Sequence, residues 1–252
     1  MSDHVIAGVP IGPGHPCRVV AEMSNAHNGS LANALRIVRE AKEAGVDFLK
    51  LQTYTADEVV QLRGDGRAPD PWGASGWTMR ELYAKAQTPH AWLPAIVAEC
   101  DRVGIPWFSS VFGLESMMLL DQWRCPAYKI AALDIARPGL VADVTAGHRR
   151  RGRVIIASSP VGRVPWADLT LYCPPGYPQA LSDIGPRAWA DGFSYHGTET
   201  AELLWAAGTL SMLEFHVQLD DCPSELEAHV SLTISQTADV VAMIRRAEKA
   251  VA

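Results

Sequence analysis

The chain has 252 residues, a formal net charge of -6 and 48% hydrophobic residues, which is the composition of an ordinary water-soluble globular protein. The charge argues against a nucleic-acid-binding protein, because positive charge is concentrated only in the short run 148–153. No apolar stretch reaches the roughly 18 residues that cross a bilayer, and the first residues do not form a signal peptide, so we expect no membrane partner. Five cysteines without a CxxC pair favour free thiols and a cytoplasmic protein.

Short apolar segments alternate with amphipathic ones along the chain, and each apolar segment predicts a buried strand. Ser30 as an N-cap and Gly45 just past the last turn predict a helix over 31–45. A second helix begins at a Thr-Pro pair and covers 88–103, and a last helix covers about 235–250. The eight predicted strands are 19–23, 47–52, 105–112, 128–133, 154–158, 169–173, 192–196 and 212–217.

Eight buried strands that alternate with helices predict a parallel α/β sheet closed into a (β/α)8 TIM barrel. A doubly wound open sheet is the alternative, but no Gly-x-Gly-x-x-Gly run follows the first strand. We expect one domain over 1–252, with an N-terminal hairpin over 1–18 and an insertion over 54–78 after the second strand. The links after the fifth and sixth strands are too short or too rich in Pro and Gly for full helices, so we expect degenerate helices there, with one turn near Leu181 in the second link. The barrel exterior beside these links would then expose apolar side chains, which a partner chain would cover.

Polar side chains stand at the ends of the predicted strands, where barrel enzymes have their active sites. Burial of an unpaired ammonium group is costly, so Lys50 and Lys129 predict either an anion held between them or a carboxylate partner for each. His196 and His216 end adjacent strands and predict either a divalent metal site that includes Glu22 or two ordinary buried histidines. The strand-end candidates are Glu22, His27, Lys50, Gln52, Ser109, Ser110, Lys129, Asp134, Ser158, Ser159, Tyr177, Ser194, His196, Glu214 and His216.

Several short runs at these strand ends form an ordered set, which is 21–29 (AEMSNAHNG), 50–53 (KLQT), 128–131 (YKIA), 177–178 (YP), 194–196 (SYH) and 214–216 (EFH). The set resembles the sialic acid synthase family, the phosphoenolpyruvate-dependent nonulosonic acid synthases. Two further runs, 81–89 (ELYAKAQTP) and 108–112 (FSSVF), are most similar to the pseudaminic acid synthase branch. The resemblance extends over most of the chain.

The resemblance implies an enzyme that condenses phosphoenolpyruvate with a sugar aldehyde, forms a 2-keto-3-deoxy sugar acid and releases phosphate. It implies a divalent metal cofactor, Mn²⁺ or Mg²⁺, with His196 and His216 as ligands. The other site residues that it implies are Glu22, Lys50, Lys129 and Asp134 as catalytic residues, and Gln52, Ser110, Ser158, Tyr177 and Ser194 as substrate-binding residues.

The sequence also departs from the family pattern. Ala132 stands where the family has Ser, Asp134 where it has Glu, and Tyr195 where it has Asp. We expect the C-terminal antifreeze-like domain of the family to be lacking, and therefore a homodimer or a separate chain that supplies that domain. Two other hypotheses stay open, a barrel with aldolase or lyase chemistry on an anionic substrate and a non-catalytic sugar-acid-binding subunit.

Overall fold

In the computed structural model, which describes residues 3–179 and 187–251, strands and helices alternate along most of the chain. The strands are β1 (His4–Ile6), β2 (Val9–Ile11), β3 (Arg18–Glu22), β4 (Phe48–Thr53), β5 (Trp107–Val111), β6 (Ala127–Ile130), β7 (Val154–Ser159), β8 (Leu169–Tyr172), β9 (Gly192–Tyr195), β10 (Met212–Gln218) and β11 (Ser231–Thr233). The helices are α1 (Leu31–Glu43), α2 (Ala56–Arg63), α3 (Met79–Ala86), α4 (Leu93–Val103), α5 (Leu114–Gln122), α6 (Pro138–Arg151), α7 (Ala201–Ala207) and α8 (Ile234–Val251).

Strands β3 to β10 form a closed barrel of eight parallel strands. Each strand pairs with the next along the chain, and β10 pairs with both β9 and β3, which closes the ring. At this seam Glu22 lies opposite His216, and Ser194 lies opposite Glu214. The predicted (β/α)8 fold class is therefore confirmed, because an open sheet would lack the pairing of β10 with β3.

The predicted strand limits agree with the observed limits to within three residues. The largest difference is at β6, which was expected to reach residue 133 and ends at Ile130. The backbone N–H of Asp134 donates to the carbonyl oxygen of Ala131 at 2.9 Å, so a turn begins directly after the strand. The polar residues that follow β6 consequently lie in a turn at the mouth of the barrel.

The strands pack on both faces, which explains their nearly continuous apolar sequences. Inside this core, the rings of Phe48 and Phe108 meet edge to face with their centroids 5.8 Å apart. Helix α1 starts where the sequence predicts, since the side chain of Ser30 accepts a hydrogen bond from the backbone of Asn33. The face of α1 that packs on the barrel consists of Ala34, Ile37, Val38 and Ala41.

The N-terminal hairpin lies at the end of the barrel where the strands begin. Strands β1 and β2 pair antiparallel, and Ile6 and Ile11 between them are fully buried. Arg18, the first residue of β3, donates from Nε to the carbonyl oxygen of Pro10 at 2.9 Å. The hairpin is thus held at the end opposite to the strand-end polar residues.

The segment after β4, which was expected to be an insertion without helices of its own, contains two helices, α2 and α3. Each begins with a Thr-x-x-Glu capping box, formed by Thr55 and Glu58 for α2 and by Thr78 and Glu81 for α3. This spacing is visible in the sequence and is a signal for a helix start. The segment is therefore a helical unit beside the barrel mouth.

The link between β7 and β8 covers residues 160–168, all of which the structure describes, and it contains no helix, as predicted. The expected exposed apolar exterior is wrong for the described residues, because Tyr172 on β8, whose side chain points away from the barrel interior, is buried and packs against Trp189. Trp166 and Trp189 pack against the core there, and these broad side chains take the place of a helix. The turn expected near Leu181 lies outside the described residues.

Two findings bear on the expected class of protein. Within residues 3–179 and 187–251, no helix is both long enough and apolar enough to cross a membrane. All five cysteines are free thiols, in agreement with the expectation from their number and spacing.

Candidate active site

Four charged side chains meet inside the barrel near the carboxyl ends of its strands. They are Glu22 on β3, Lys50 on β4, Lys129 on β6 and Glu214 on β10, and none of the four is more than 4% exposed. Parallel strands direct alternate side chains into the barrel, so residues far apart in sequence converge. The structure thus brings three of the four predicted catalytic residues together with a fourth charge that had no assigned role.

The lysines and the glutamates form a connected ion network. Lys50 Nζ contacts Glu22 Oε2, lies 3.4 Å from Glu214 Oε1 and donates to Ser110 Oγ at 3.1 Å. Lys129 Nζ contacts Glu214 Oε1, which also accepts a hydrogen bond from Ser194 Oγ at 2.9 Å. Of the two hypotheses for the buried lysines, this geometry matches pairing with neighbouring carboxylates.

The two lysines differ in their electrostatic environment. Burial lowers the pKa of Lys129 below its ordinary value, and the attraction of Glu214 does not fully offset this. Burial acts on Lys50 in the same direction, but Glu214 and Glu22 together raise its pKa. Burial also disfavours the charged form of Glu214, yet Lys129 and Lys50 hold its pKa well below the usual range. Lys129 is therefore the lysine better suited to give up a proton.

Two buried oxygen atoms at this site have no hydrogen-bond partner among the described residues. They are Ser158 Oγ, at the end of β7, and Glu214 Oε2. Buried polar groups are normally hydrogen-bonded, so unpartnered ones indicate a place where a ligand or water binds. Gln52 follows Lys50 by two residues on β4 and lies opposite Ser110, so it belongs to the same face of the strand.

The histidine pair lies beside the ion network. The rings of His196 and His216 have their centroids 5.2 Å apart. His196 Nδ1 accepts a hydrogen bond from Gln179 Nε2 at 3.1 Å, and His216 Nδ1 lies 3.3 Å from Glu227 Oε2. Burial, followed by repulsion from His216, lowers the pKa of His196 to about 3. For His216 burial acts in the same direction, but the Glu227 carboxylate raises its pKa.

Two imidazoles and a carboxylate are suitable donors for Mn²⁺ or Mg²⁺. In the part of the chain that the structure describes, however, no three His, Cys, Asp or Glu side chains converge in a way that could hold a metal ion. The Nδ1 atom of His196 is already engaged by Gln179, and His216 faces Glu227. The donor types fit a metal, but the described residues do not bring a third ligand into place beside the two rings, so we derive no chemical step through one.

Tyr177 and Glu227 lie on the other side of the histidine pair. The ring of Tyr177 packs against His196 with the centroids 5.1 Å apart, and its hydroxyl donates to Glu227 Oε1 at 2.6 Å. Burial raises the pKa of Glu227, but the opposing effects of His216 and Tyr177 bring it down to about 2. The loop after β10 thus contributes a charged carboxylate to the site, although Glu227 was not among the predicted site residues.

Asp134 does not join the ion network, although it was predicted to be catalytic. Its carboxylate is fully buried and accepts two hydrogen bonds from Arg63, at 3.1 Å from Nε and 2.5 Å from Nη2. The guanidinium group of Arg63 lies over the rings of Phe112 and Tyr83 at 5.5 and 5.6 Å. Asp134 is therefore one half of an ion pair, and no feature of the sequence indicates Arg63 as the other half.

Residues 37–159 match a family model described as the NeuB family. The chain is 32% identical to the pseudaminic acid synthase of Helicobacter pylori over 187 residues, which cover 67% of this chain and 53% of that protein. It is 29% identical to the pseudaminic acid synthase of Campylobacter jejuni over a region that covers 92% of this chain and 74% of that protein. The chain therefore spans about half the length of the first relative and about three quarters of the second.

A crystal structure of an N-acetylneuraminic acid synthetase from Leptospira borgpetersenii, in complex with citrate, superposes with a TM-score of 0.82. The alignment covers 99% of this chain and 90% of that one, at 19% sequence identity. This likeness shows that the two proteins share a fold.

Proposed function

Because the chain carries a NeuB family domain, we propose that it is a transferase that condenses phosphoenolpyruvate with a sugar aldehyde and releases phosphate. The product is a 2-keto-3-deoxy sugar acid, which is the kind of product that the names of the similar synthases indicate. The observation that carries the proposal is the convergence of two buried lysines with serine hydroxyls at the carboxyl ends of the barrel strands. Such a cluster suits a small substrate with several negative charges.

Phosphoenolpyruvate binding would exchange the carboxylate partners of the lysines for the anionic groups of the substrate. Lys50 and Lys129 would bind the phosphate and carboxylate groups, while Ser110, Ser158 and Ser194 would donate hydrogen bonds. Ser158 supports this role most directly, since its buried hydroxyl has no partner among the described residues. Donors that are already in place neutralise developing charge without reorganisation.

The condensation would join C3 of phosphoenolpyruvate to the aldehyde carbon, while the aldehyde oxygen takes up a proton and becomes a hydroxyl group. We propose that Lys129 supplies this proton, and the lowering of its pKa by burial supports that role. Water then adds to the electron-poor C2, and Glu22 accepts a proton from it. The C–O bond to phosphate breaks, and the second proton of that water leaves with the phosphate.

Phosphate release tests this proposal directly. With phosphoenolpyruvate, Mn²⁺ and a panel of aldoses and N-acetylated amino sugars, the wild-type protein should release phosphate only when an acceptor is present. Lys129→Ala should reduce kcat/KM at least roughly 100-fold, because an ammonium group at the anion is lost. Lys42→Ala, at an exposed position on α1, is the matched control and should leave the rate unchanged. Release without an acceptor, or an unaffected Lys129→Ala variant, would contradict the proposal.

We also propose that His196 and His216 bind a divalent cation, Mn²⁺ or Mg²⁺. When bound, the cation would polarise the aldehyde oxygen of the acceptor. The proximity of the two rings and of the Glu227 carboxylate supports this proposal. Titration calorimetry with Mn²⁺ should show one site that is weakened at least about tenfold in His216→Ala and unchanged in His15→Ala, which lies outside the site. Equal binding by both variants would exclude this pair as the ligands.

We propose a cytoplasmic homodimer as the form in which the protein acts. Exposed apolar side chains beside the barrel mouth support a subunit interface, since Leu114, Met118 and Leu133 are 52%, 57% and 73% exposed. The five free thiols fit a reducing compartment. Light scattering on the eluted protein should give twice the mass of one chain. A monomer that converts substrate fully would refute the dimer, and a separate chain that co-purifies would indicate a heteromeric form instead.

One observation favours a second candidate function, that of a barrel that binds a sugar acid without converting it. Both lysines are neutralised by Glu22 and Glu214, so the site is electrically balanced without a substrate. A protein of this kind would bind phosphoenolpyruvate or a sugar acid in calorimetry, yet release no phosphate with any acceptor of the panel.

A further inference from the structure

Gln179, in the loop after β8, is hydrogen-bonded to His196 through both its backbone and its side chain. Its backbone N–H donates to the carbonyl oxygen of His196 at 2.8 Å, and its side-chain Oε1 accepts from the backbone N–H of His196 at 3.1 Å. Its side-chain Nε2 donates to Nδ1 of the His196 ring, also at 3.1 Å. Gln179 is buried, so little water reaches these bonds. The loop after β8 is thereby fastened to the end of β9, and one amide group holds the imidazole ring.

Two backbone groups fix the orientation of the Gln179 amide. Oε1 faces the backbone N–H of His196, which can only donate, and Nε2 lies 3.0 Å from the carbonyl oxygen of Pro174, which can only accept. The opposite orientation would place two N–H groups against each other on one side and two oxygen atoms on the other. The carbonyl oxygen of Ser194, at 3.3 Å from Nε2, is a more distant acceptor than Pro174 and the ring. The amide nitrogen is therefore the atom that meets the imidazole, and it donates.

This donor determines the tautomer of the His196 ring. A ring nitrogen that accepts a hydrogen bond carries no proton, so a neutral histidine then has its proton on the other nitrogen. Because Nδ1 of His196 accepts from Gln179, the proton lies on Nε2. The ring consequently offers a ligand an N–H donor, and its one lone pair is already engaged.

The same arrangement opposes metal binding by this ring. A neutral imidazole binds a metal ion through a nitrogen that carries no proton. In His196 the amide of Gln179 covers Nδ1, and Nε2 carries the proton. Binding through Nε2 would require the proton to move to Nδ1, where it would point at the N–H of Gln179. Histidines that bind metals normally donate this second N–H to an acceptor, and Gln179 presents a donor instead.

We propose that Gln179 is a positioning residue that holds His196 in the Nε2–H tautomer, so that in the absence of a metal ion this ring is a hydrogen-bond donor toward an oxygen atom of the substrate. A second consequence is a lowered affinity of the histidine pair for divalent cations. This second consequence rests on the proposed cation site, whereas the assignment of the tautomer does not.

Nitrogen NMR of the isotope-labelled, metal-free protein at neutral pH tests the tautomer, because it distinguishes protonated from unprotonated ring nitrogens. The signals that disappear in His196→Phe identify this ring, which in the wild-type protein should have its proton on Nε2. Gln179→Glu replaces the donor by a carboxylate acceptor and should move the proton to Nδ1. Gln179→Met removes the donor with little change in volume and should give a mixture of the two tautomers.

Gln218→Met is the matched control. Gln218 is also buried, and its amide bonds backbone groups only, donating to the carbonyl oxygen of Ser231 at 3.0 Å and accepting from the N–H of Ser224 at 2.9 Å. This variant should leave the tautomer of His196 unchanged, and circular dichroism confirms that each variant is folded. A wild-type ring with its proton on Nδ1, a tautomer that neither Gln179 variant alters, or an equal change in Gln218→Met would overturn the inference.

Titration calorimetry with Mn²⁺ tests the second consequence. Gln179→Glu should bind Mn²⁺ at least roughly tenfold more tightly than the wild-type protein, which is the usual effect of a carboxylate behind a metal-bound histidine. Gln179→Met should also bind more tightly, although it adds no charge. A gain in Gln179→Glu alone would be an effect of the added charge and would refute this consequence, as would equal affinities of all three proteins. Absence of Mn²⁺ binding in all three would count against the proposed cation site, and the NMR result would still decide the tautomer.

Discussion

At the scale of single residues, Glu214 is the side chain on which the buried charges depend. Its Oε1 atom contacts Lys129 and accepts from Ser194, and it lies 3.4 Å from Lys50. The sequence placed it at a strand end, two residues before His216, without a role. Its position on the same face of β10 as His216 was the available signal, because alternate residues of a strand share a face.

Replacement of this carboxylate should be costly for stability. Glu214→Gln leaves Lys129 charged and buried without an ionic partner, so we expect the free energy of unfolding to fall by about 3 kcal/mol. Glu225→Gln removes the exposed partner of Lys85 and should change it by less than about 1 kcal/mol. Urea denaturation at neutral pH measures both. Equal effects of the two substitutions would show that Glu214 does not hold the buried lysines.

His27 makes a separate contribution that depends on pH. Burial lowers its pKa from 6.5 to about 4, against a smaller opposing effect of Glu227. The neutral ring accepts from the backbone of Gly29 at 3.0 Å and contacts Thr88 Oγ1 at 3.2 Å. Between pH 6.5 and about 4 the unfolded chain binds a proton that the folded chain does not, so stability is lost as the pH falls through this range.

The loss attributable to His27 should reach roughly 3 kcal/mol below pH 4. In His27→Gln the side chain still forms hydrogen bonds but no longer takes up a proton. Between pH 7 and pH 4 the free energy of unfolding of this variant should therefore fall by roughly 3 kcal/mol less than that of the wild-type protein. Denaturation of both proteins across this range provides the comparison. Parallel pH curves would show that the ring of His27 is not kept neutral by the fold.

At the scale of elements, one buried carboxylate joins two helices beside the barrel mouth. Glu58 closes the capping box of α2, accepting from the backbone of Thr55 at 3.1 Å, and accepts from the backbone of Ser116 in the first turn of α5 at 2.9 Å. A Cβ atom on Gly113 would lie 2.6 Å from Glu58 Oε1, so a larger residue there would displace this carboxylate from its present position. The capping box was readable from the sequence, whereas the contact with α5 was not.

Glu58→Ala should therefore cost more than the loss of one cap. Two helix starts lose a hydrogen-bond acceptor, and we expect a decrease in the free energy of unfolding of about 2–3 kcal/mol. Glu81→Ala removes only the exposed capping box of α3 and should cost clearly less. Thermal and urea unfolding of the two variants compare them. A smaller effect for Glu58→Ala than for Glu81→Ala would contradict the double role.

At the scale of the whole molecule, the last helix is bonded to the start of the barrel. Arg245 donates from Nη2 to Asp47 Oδ2 at 2.5 Å and from Nη1 to the carbonyl oxygen of Cys17 at 2.8 Å. Glu248 accepts from the backbone of Cys17 at 2.7 Å. These contacts join parts of the chain that are 198 to 231 residues apart, at the end of the barrel opposite to the candidate active site.

Arg245→Ala should lower the free energy of unfolding by roughly 2 kcal/mol, because Asp47 and Cys17 each lose a partly buried donor. Arg246→Ala, at the exposed neighbouring position, is the control and should change it by less than about 0.5 kcal/mol. Catalytic constants should stay the same in both variants, since the contact is remote from the site. An equal stability change in the two variants would show that this contact does not hold α8 to the barrel.

The barrel fold, and several of the residues that line its mouth, could be predicted from the amino-acid sequence. Eight apolar strands that alternate with helices can be buried together in few ways other than a closed barrel. Because parallel strands have their carboxyl ends at one edge, Lys50, Lys129 and His216 could be predicted to lie near one another. The pairing of the charged side chains with one another could be seen only in the three-dimensional structure. Glu214 contacts both lysines, and Arg63 forms an ion pair with Asp134. Strand register and helix packing set these distances, and no local sequence pattern encodes contacts between residues so far apart in the chain.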